Sequence, residues 1–509
     1  MPNRLALKVQ GQEWTYAALS TQARRLAATI QLRGLGNDPL AAVFADRSVT
    51  AFAGILGSLM SGRGYVPLNP QFPVAKTRQM LVRSGCRTLI ADSVAAAQLS
   101  DLLDGLDPLT VILPEDADVG ALGRQCARHR ILGSTDLEAA ESLRPVPLTP
   151  DDLAYLLFTS GSTGAPKGVM VTHWNATHFV RSAVERYGIT AEDRLSQLFD
   201  ATFDLSVFDM FVAWQQGAAV CCPPRAVLWN PSAFVRDEQL TVWFSVPSTA
   251  MLMKRLGALK PNAFPSLRWS LFCGERLSAD VAAAWAAAAP DSGVENLYGP
   301  TELTVACTAY RWDRSRSLAE CETGVVPIGY PLPGMYAVVV DDALAEVAPG
   351  QAGELLLTGP QRTPGYWQDD EATAKAHARV EGWADLFYRT GDRVCRPADG
   401  GPLRFLGRVD HQIKVRGHRV ELGEVEWALR GVPGVEAAAA LGWPASTAGP
   451  LGIAAFVTGR DIEPAAIRSS LQTKLQSYAL PQTIRVVPAL PLNANGKVDR
   501  QALVALLEA

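Results

Sequence analysis

The stretch from Leu153 to Met170, LAYLLFTSGSTGAPKGVM, most constrains the fold, because an apolar run ends abruptly in a loop of small residues. Tyr155 to Phe158 predicts a short buried strand. The loop glycines let the backbone bring its N–H groups against an anion, and hydroxyls and a lysine add donors. The sequence therefore predicts a strand leading into a phosphate-binding loop, whose candidate residues are Thr159, Ser160, Gly161, Ser162, Thr163, Gly164 and Lys167.

A nucleoside triphosphate is the natural ligand of such a loop, but the loop does not have the sequence of a P-loop. A P-loop requires Gly-Lys followed by Ser or Thr at the start of a helix. Here Pro166 precedes Lys167 and Gly168 follows it, so the P-loop interpretation fails. A surface linker rich in Gly and Ser has the same composition, so the loop alone leaves both interpretations open.

Composition limits the partners and the number of domains. With 509 residues, 48% hydrophobic and 19% charged, the chain is too long for one ordinary domain. The net charge of −4 and the lack of a long basic run argue against a nucleic acid or a membrane surface as partner. The amino terminus lacks signal-peptide features and no long apolar run follows, which predicts a cytoplasmic protein. The scattered cysteines and histidines indicate neither disulfides nor zinc.

Short apolar runs alternate with helical patterns through the first third of the chain. The alternation predicts an α/β fold with a mostly parallel sheet. Predicted strands are residues 13–16, 41–44, 65–68, 88–91 and 111–113, and predicted helices are 17–33, 50–61 and the Ala-rich run 281–289.

Three further segments offer partners for the phosphate loop. Asn296 to Glu302, NLYGPTE, combines an aromatic ring, a turn and a carboxylate, a set suited to stacking a base and holding Mg²⁺. Tyr388 to Asp392, YRTGD, predicts a carboxylate on a turn that accepts hydrogen bonds from a ribose diol. Near the carboxyl end, NANGKVDR places Lys497 on a glycine-containing loop. Each segment alone has an ordinary alternative as a turn or a frayed tail.

Taken together, the motifs give the chain a family resemblance: it resembles the adenylate-forming enzymes, and among them the amino-acid adenylation domains of nonribosomal peptide synthesis. The motifs occur in the family's order along nearly the whole chain. They are TSGSTGAPKG (159–168), FDLSVFDMF (203–211), NLYGPTE (296–302), GELLLTGPQRTPGYW (353–367), YRTGD (388–392), GRVDHQIKVRGHRVE (407–421) and NANGKVDR (493–500).

The resemblance implies two domains. We expect a large amino-terminal AMP-binding domain of mixed and parallel sheets with helices over residues 1–408. A small mobile α+β domain is expected over residues 409–509, turning about a hinge at Asp410.

The resemblance also implies the chemistry, in which ATP and Mg²⁺ act with an amino acid to give aminoacyl-AMP and pyrophosphate. Lys497 is expected to stabilise the transition state, and Glu302 to hold Mg²⁺. After the small domain turns, Lys414 replaces Lys497 for attack by a thiol. The remaining nucleotide-binding residues that the resemblance implies are Gly274, Glu275, Asn296, Tyr298, Gly299, Thr301, Asp392 and Arg408, together with the phosphate loop.

By the same resemblance, Asp204 of FDLSVFDMF pairs with the α-ammonium of an amino acid. The other implied pocket residues are apolar or nearly so, and they are Leu205, Phe208, Phe244, Leu271, Cys273, Leu297, Val305 and Ala306. The pocket pattern is similar to that of prolyl-activating enzymes, which predicts L-proline as substrate. Cys273 in FCGE is similar to D-alanine carrier-protein ligases, so D- or L-alanine is the alternative.

No carrier or condensation domain is recognisable, so we expect a free-standing enzyme that loads a separate phosphopantetheinylated carrier protein. A carboxylic acid CoA ligase is the second hypothesis, and Asp204 argues against it. A nucleotide-binding module without turnover is the third, and the complete set of motifs argues against it.

Overall fold

Alternating strands and helices build most of the chain in the computed structural model. The structure describes residues 1–36, 38–116, 118–159, 166–322, 324–409, 412–447, 449–460, 462–491 and 498–508. The strands, in chain order, are β1 (Leu5–Val9), β2 (Gln12–Thr15), β3 (Leu40–Phe44), β4 (Gly64–Leu68), β5 (Thr88–Ala91), β6 (Thr110–Ile112), β7 (Arg130–Leu132), β8 (Leu153–Thr159), β9 (Lys167–Thr172), β10 (Arg194–Ser196), β11 (Ala219–Cys221), β12 (Val242–Ser245), β13 (Trp269–Phe272), β14 (Gly293–Tyr298), β15 (Thr308–Arg311), β16 (Tyr330–Pro331), β17 (Tyr336–Val340), β18 (Ala352–Thr358), β19 (Gly365–Tyr366), β20 (His377–Arg379), β21 (Leu386–Cys395), β22 (Arg404–Arg408), β23 (Gln412–Val415), β24 (His418–Glu421), β25 (Val435–Gly442), β26 (Ile453–Gly459) and β27 (Thr483–Val486).

The helices are mostly short and lie between the strands. In chain order they are α1 (Tyr16–Arg33), α2 (Val49–Met60), α3 (Val74–Ser84), α4 (Ser93–Ala96), α5 (Leu99–Leu103), α6 (Gly120–Gln125), α7 (His173–Tyr187), α8 (Leu205–Val207), α9 (Ala213–Gln216), α10 (Ser232–Asp237), α11 (Pro247–Arg255), α12 (Ala279–Ala288), α13 (Ser317–Glu320), α14 (Asp370–Ala376), α15 (Leu422–Arg430), α16 (Pro464–Gln472) and α17 (Arg500–Glu508). A π-helical turn, Phe208–Val212, joins α8 to α9. None of the described helices has the length and apolar character needed to cross a membrane.

Two large mixed sheets dominate the amino-terminal part. One has the order β19-β9-β8-β4-β3-β5-β6-β7 and the other the order β16-β15-β14-β13-β12-β10-β11-β1-β2. Both are parallel in the middle and antiparallel at an edge. Apolar residues of both sheets, such as Tyr155 and Phe244, belong to one hydrophobic core. The predicted α/β fold with a mostly parallel sheet is therefore confirmed.

Two smaller units follow. Strands β17, β18, β20, β21 and β22 form an antiparallel sheet. After residue 411, the β23–β24 hairpin, the β25-β26-β27 sheet and helices α15 to α17 form a small α+β domain. This domain has its own core, which includes Val425, Leu429 and Val457.

The prediction of a turn around Asp392 is wrong. Residues 388–392 lie inside β21, where the pairing with β18 shifts register between Glu354 and Leu356. Gly391 has φ of 68°, so the strand bulges there instead of ending. Tyr16, predicted at the end of a strand, begins α1, because the side chain of Thr15 caps that helix.

Candidate active site

Two adjoining cavities lie where the carboxyl ends of β8, β13 and β14 face the small domain. The central cavity, of about 110 Å³, is lined by residues such as Thr159, Asp204 and Cys273. The adjoining cavity, of about 430 Å³, is lined by residues such as Asn296 and Arg276. The two cavities share wall residues, namely Gly274, Tyr298, Gly299, Asp392, Arg408, Gln412 and Lys414. Sites at the carboxyl ends of parallel strands are typical of open α/β sheets.

The adjoining cavity has the polar groups that a nucleoside requires. The amide nitrogen of Asn296 donates to the carbonyls of Val326 and Pro327, at 3.3 and 2.9 Å, while its buried Oδ1 has no partner among the described residues. An unpaired buried acceptor costs stability unless a ligand donor meets it, and the amino group of adenine is such a donor.

Asp392 lies at the junction of the two cavities and is held from both sides. The hydroxyl of Tyr298 donates to its Oδ2 at 2.5 Å, and Arg408 donates to its Oδ1 at 2.6 Å. The structure therefore brings the three predicted residues together. The carboxylate retains lone pairs for the hydroxyls of a ribose.

Glu302 is buried beneath the central cavity and is paired across the two domains. Its carboxylate accepts from Arg419 of the small domain at 3.1 and 3.2 Å and from the hydroxyl of Tyr366 at 2.7 Å. Burial alone would raise the pKa of Glu302, but Arg419 and Tyr366 outweigh burial and hold the pKa below its ordinary value. Glu302 is therefore an anion in this arrangement.

Asp204 projects into the central cavity at the start of α8. It is 7% exposed, and its Oδ2 accepts no hydrogen bond from the described residues. Burial raises the pKa of Asp204 to about 6, against the opposing effects of Thr301 and Lys414. A buried carboxylate with an unpaired oxygen is suited to an ammonium group.

The predicted side-chain pocket is almost completely filled by protein. Leu205 and Cys273 line the central cavity, and Leu297 lines the adjoining one. The rings of Phe208 and Phe244 pack edge to face at 4.9 Å between centroids. The remaining predicted pocket residues are buried in the core and line neither cavity, and they are Phe208, Phe244, Leu271, Val305 and Ala306. The space next to Asp204 therefore suits a small side chain.

The loop beneath this pocket is strained, and a buried amide holds it in place. Thr304 and Val305 have φ of 54° and 71°, a region that residues with a Cβ seldom adopt and that is especially costly for valine. The fully buried amide nitrogen of Gln361 donates to the carbonyls of Leu303, Thr304 and Ala306, at 3.2, 3.2 and 2.6 Å. Nothing in the sequence around Gln361 indicates that it is a site residue.

A loop of the small domain occupies the entrance to both cavities. Lys414 lines both cavities, and its side chain makes no hydrogen bond with a described residue. The backbone N–H of Gly417 donates to Glu275 at 2.5 Å, and Glu275 also accepts from the N–H of Ser248 at 2.9 Å. A Cβ at residue 417 would lie 2.5 Å from Cγ1 of Val246, so only glycine allows this approach.

Several predicted site residues lie outside the described part of the chain. They are Ser160, Gly161, Ser162, Thr163 and Gly164 of the phosphate loop, the hinge residue Asp410, and Lys497. The ends of the phosphate loop are described, since Thr159 and Pro166 line the central cavity. The ammonium of Lys167 lies 5.4 Å from the ring centroid of Tyr366, and Thr301 lines the central cavity.

Residues that sequence analysis missed include Arg419, Tyr366 and Lys76. Arg419 and Tyr366 lie inside quoted motifs, but no spacing rule connects either residue to Glu302, more than sixty positions away from each. Lys76 lies in an ordinary amphipathic helix. Only the folded structure brings Lys76 and Arg419 to the central cavity and Tyr366 to Glu302.

Comparison with known proteins agrees with this geometry. The family model described as AMP-binding enzyme matches residues 1–367, and the model described as AMP-binding enzyme C-terminal domain matches residues 424–497. Phosphinothricin tripeptide synthetase PhsC of Streptomyces viridochromogenes is 34% identical over 99% of this chain, which spans 44% of that relative. The chain spans less than half the length of the first curated relatives that it matches.

Other relatives match over nearly their full length. An L-proline--[L-prolyl-carrier protein] ligase of Pseudomonas fluorescens is 33% identical, covering 100% of this chain and 97% of the relative. The crystal structure of the Vibrio cholerae adenylation domain AlmE, in complex with glycyl-adenosine-5'-phosphate, has a TM-score of 0.89. It is 31% identical and covers 100% of this chain and 95% of that one.

The fold, the cavity and these matches define an adenylate-forming enzyme. The chain belongs to the AMP-binding enzyme family. Its relatives include a tripeptide synthetase and an L-proline--[L-prolyl-carrier protein] ligase, which agrees with the family resemblance that the sequence motifs predicted.

Proposed function

We propose that this chain activates a compact apolar α-amino acid, with L-proline as first choice, and loads it onto a separate carrier protein. The observation that carries the proposal is the buried carboxylate of Asp204: the residue lines the central cavity, and its Oδ2 has no hydrogen-bond donor among the described residues. Its neighbours Leu205 and Cys273 offer no charge to a substrate side chain. A site of this kind selects an ammonium beside a small apolar group.

In the first half-reaction the amino-acid carboxylate attacks the α-phosphorus of ATP. A carboxylate–phosphorus bond forms, and the bond to the pyrophosphate oxygen breaks, so that aminoacyl-AMP and pyrophosphate result. No proton has to move, because the nucleophile is already an anion, and positioning and charge stabilisation are the main requirements. Asp204 orients the ammonium, Asn296 and Tyr298 bind the base, and Asp392 binds the ribose. Lys497 supplies the cation at the phosphates.

Glu302 fits a Mg²⁺ site of the kind in which one carboxylate acts with phosphate and water. Among the described residues no group of three or more His, Cys, Asp or Glu side chains could hold a metal alone. A single hard oxygen donor beside a polyphosphate suits Mg²⁺. When bound, Mg²⁺ neutralises phosphate charge. In the present arrangement Arg419 forms an ion pair with the carboxylate of Glu302. We therefore infer that Glu302 binds Mg²⁺ only after the small domain has moved.

The arrangement of the small domain corresponds to the second half-reaction. Lys414 faces the central cavity, and the neighbouring Gly417 is bonded to Glu275 of the large domain. In this step a thiol attacks the aminoacyl carbonyl and forms the carbon–sulfur bond of a thioester. The bond from that carbonyl carbon to the phosphate oxygen breaks, AMP leaves, and the thiol proton is released to solvent. Lys414 is close enough to Asp204 for their charges to interact, and it stabilises the negative charge on the departing phosphate.

A side channel provides a path for the thiol. This cavity, of about 370 Å³, lies between the domains and is lined by residues of both, including Arg47, Arg225 and Arg416. Five residues line both the channel and the central cavity, and they are Phe72, Thr202, Phe203, His418 and Tyr478. Burial lowers the pKa of His418 to about 3, so its ring is neutral. The ring stacks on that of Tyr478, with 3.6 Å between the ring centroids. A channel with a mostly aromatic neck and arginines on its wall fits a phosphopantetheine arm.

L-Proline is the first choice because the closest space to Asp204 is small and apolar, and because a full-length relative is an L-proline ligase. D- or L-alanine is the alternative, favoured by the packing of Phe208 against Phe244, which leaves little room for a ring. A polar side chain would lose hydrogen bonds worth about 1 to 3 kcal/mol and should be rejected.

ATP–pyrophosphate exchange with Pro, D-Ala, L-Ala, Gly, Val, Ser, Asp and Trp tests the proposal. We expect Pro or Ala to give the highest rate, and Asp and Trp to give none. The Lys497→Ala variant should lose exchange severely while retaining its fold by circular dichroism. Equal exchange with fatty or aryl acids, or preference for a charged amino acid, would refute the proposed specificity.

The acceptor is tested by offering the loaded enzyme a phosphopantetheinylated carrier protein or free coenzyme A. Mass spectrometry should find the aminoacyl group on the carrier. Efficient transfer to coenzyme A and to no carrier would favour the ligase alternative.

A further inference from the structure

A buried ion pair joins the two domains beside the central cavity. Lys76, in the first turn of α3, donates from Nζ to Oε1 of Glu424 at 2.6 Å and to Oε1 of Gln476 at 2.9 Å. The side chains of Lys76 and Glu424 are only 8% and 7% exposed. Such a pair compensates the desolvation of both charges, and separating it leaves a buried charge without a partner.

Both acceptors of Lys76 belong to the small domain. Glu424 lies in the first turn of α15, and Gln476 follows α16. Lys76 itself belongs to the large domain, and no described residue of the large domain accepts a hydrogen bond from its ammonium. A rotation of the small domain therefore removes both partners of Lys76 at once.

Lys76 also lies in the wall of the central cavity. The same cavity is lined by Phe158 and Thr159, where the phosphate loop begins, and by Pro166, where it ends. A triphosphate held by this loop would bring anionic oxygens into the cavity. The ammonium of Lys76, once separated from Glu424, would therefore meet a new set of anionic acceptors.

We propose that Lys76 alternates between two anions: it binds Glu424 when the aminoacyl group is transferred, and the β- and γ-phosphates of ATP, or pyrophosphate, when the adenylate is formed. The inference rests on the proposed function, because it requires the small domain to move between the two half-reactions. Glu424 thereby competes with the nucleotide for one cation. Release of pyrophosphate frees Lys76 and favours the arrangement in which the thiol attacks.

Nucleotide binding to Lys76→Gln, measured by titration calorimetry with Mg-ATP and with AMP, tests the phosphate contact. Loss of one hydrogen bond to a charged group should weaken ATP binding roughly tenfold or more. AMP lacks the β- and γ-phosphates, so its affinity should change less than about twofold. Arg78→Gln is the matched control, because Arg78 lies on the same helix and binds the carbonyls of Asp101 and Asp104. Unchanged ATP affinity, or equal losses for ATP and AMP, would overturn the proposal.

Glu424→Gln separates this role from a merely structural one, because it should move two measurements in opposite directions. Removing the competing anion should tighten ATP binding roughly threefold, while single-turnover transfer to the carrier should slow roughly tenfold. Glu426→Gln is the matched control, since Glu426 lies on the same helix and binds Arg500 within the small domain. Weaker ATP binding or unaltered transfer in Glu424→Gln would contradict competition.

The exchanged pair Lys76→Glu/Glu424→Lys provides a third test. Transfer should recover to within about threefold of the wild-type rate, since the ion pair is restored with reversed polarity. ATP binding should stay weak, because a carboxylate now faces the phosphates. Recovery of both would show that the pair is only a link between domains.

Should the exchanged pair not fold, the Lys76→Arg variant replaces it. This variant should retain ATP affinity within about threefold, and a loss of affinity equal to that of Lys76→Gln would overturn the proposal. These binding measurements need no amino acid, so a wrong substrate assignment would not affect them.

Discussion

The amino-acid pocket and the seam between the domains are built by opposite means. The pocket belongs to the large domain alone, and its walls are apolar, fully buried and packed ring against ring around one carboxylate, Asp204. The seam is shared by both domains and depends on polar contacts. Among the described residues these include Lys76 with Glu424, Glu302 with Arg419, and Glu275 with a backbone N–H.

Because of this difference, we assign the two regions different tasks: the pocket selects the amino acid, and the seam sets the order of the two half-reactions. A packed apolar pocket discriminates by shape, and it does not need to change during the cycle. Each ion pair of the seam, by contrast, uses a large-domain charge that the nucleotide or its metal would also attract. In the proposed cycle, the small domain therefore reaches the present arrangement only after the polyphosphate has left. The following predictions test that division, from the largest expected effect to the smallest.

Changing Asp204 to Asn should reduce amino-acid-dependent exchange the most. The substrate ammonium would lose its buried counter-ion, which lowers kcat/KM for the amino acid roughly 100- to 1000-fold. ATP affinity should be unchanged, since Asp204 belongs to the pocket and not to the seam. Exchange kinetics and calorimetry measure the two effects, and a parallel loss of ATP affinity would show that the regions are not separate.

Changing Lys414 to Ala should affect only the second half-reaction. Removal of one positive group from the cavity should slow single-turnover transfer roughly hundredfold. ATP–pyrophosphate exchange should remain within about twofold, because that step uses the other position of the small domain. Rapid-quench measurements of both steps check this, and an equal loss in both would argue against alternation.

Changing Gln361 to Leu should damage the pocket without affecting the seam. Three carbonyls beneath the pocket would lose the hydrogen bonds from the Gln361 amide, which should lower the free energy of unfolding by about 2 to 3 kcal/mol. KM for the amino acid should rise, whereas KM for ATP should not. Urea unfolding and exchange kinetics test this, with Gln351→Leu at an exposed turn as the control.

Lowering the pH should weaken amino-acid binding through Asp204. Burial raises the pKa of Asp204 to about 6 in the empty site, so the carboxylate that binds the ammonium is lost as pH falls through 6. Below that value kcat/KM should fall roughly tenfold per pH unit. The folding stability of the protein without substrate depends on pH in the opposite direction. Asp204 contributes to the free energy of unfolding below its ordinary pKa, and that contribution is lost as pH rises through about 6. A pH profile that is flat from 5 to 7 would contradict this assignment.

Much of the site could be predicted from the sequence because its residues lie in local motifs. Asn296, Tyr298 and Glu302 occupy the end of one strand and the turn after it, so a short stretch of sequence specifies their relation. The buried strand before the phosphate loop was likewise evident from its apolar run, and β8 contains it.

The contacts that depend on domain position could not be predicted. Lys76 and Glu424 are 348 positions apart, and neither lies in a motif with a known spacing. Asp392 was assigned to a turn because Thr-Gly-Asp favours turns, whereas pairing with β18 and β22 keeps it in a bulged strand. The strain at Val305 was also hidden, because valine gives no indication of a positive φ.

The most direct test of the central claim, that a buried carboxylate selects an α-amino acid, compares L-proline with cyclopentanecarboxylate in ATP–pyrophosphate exchange. The two acids have rings of the same size, but only proline carries an ammonium. We predict exchange with L-proline, and with alanine if the pocket is smaller still, and no exchange with cyclopentanecarboxylate. Equal exchange with proline and cyclopentanecarboxylate would contradict the assignment of Asp204 and with it the proposed function.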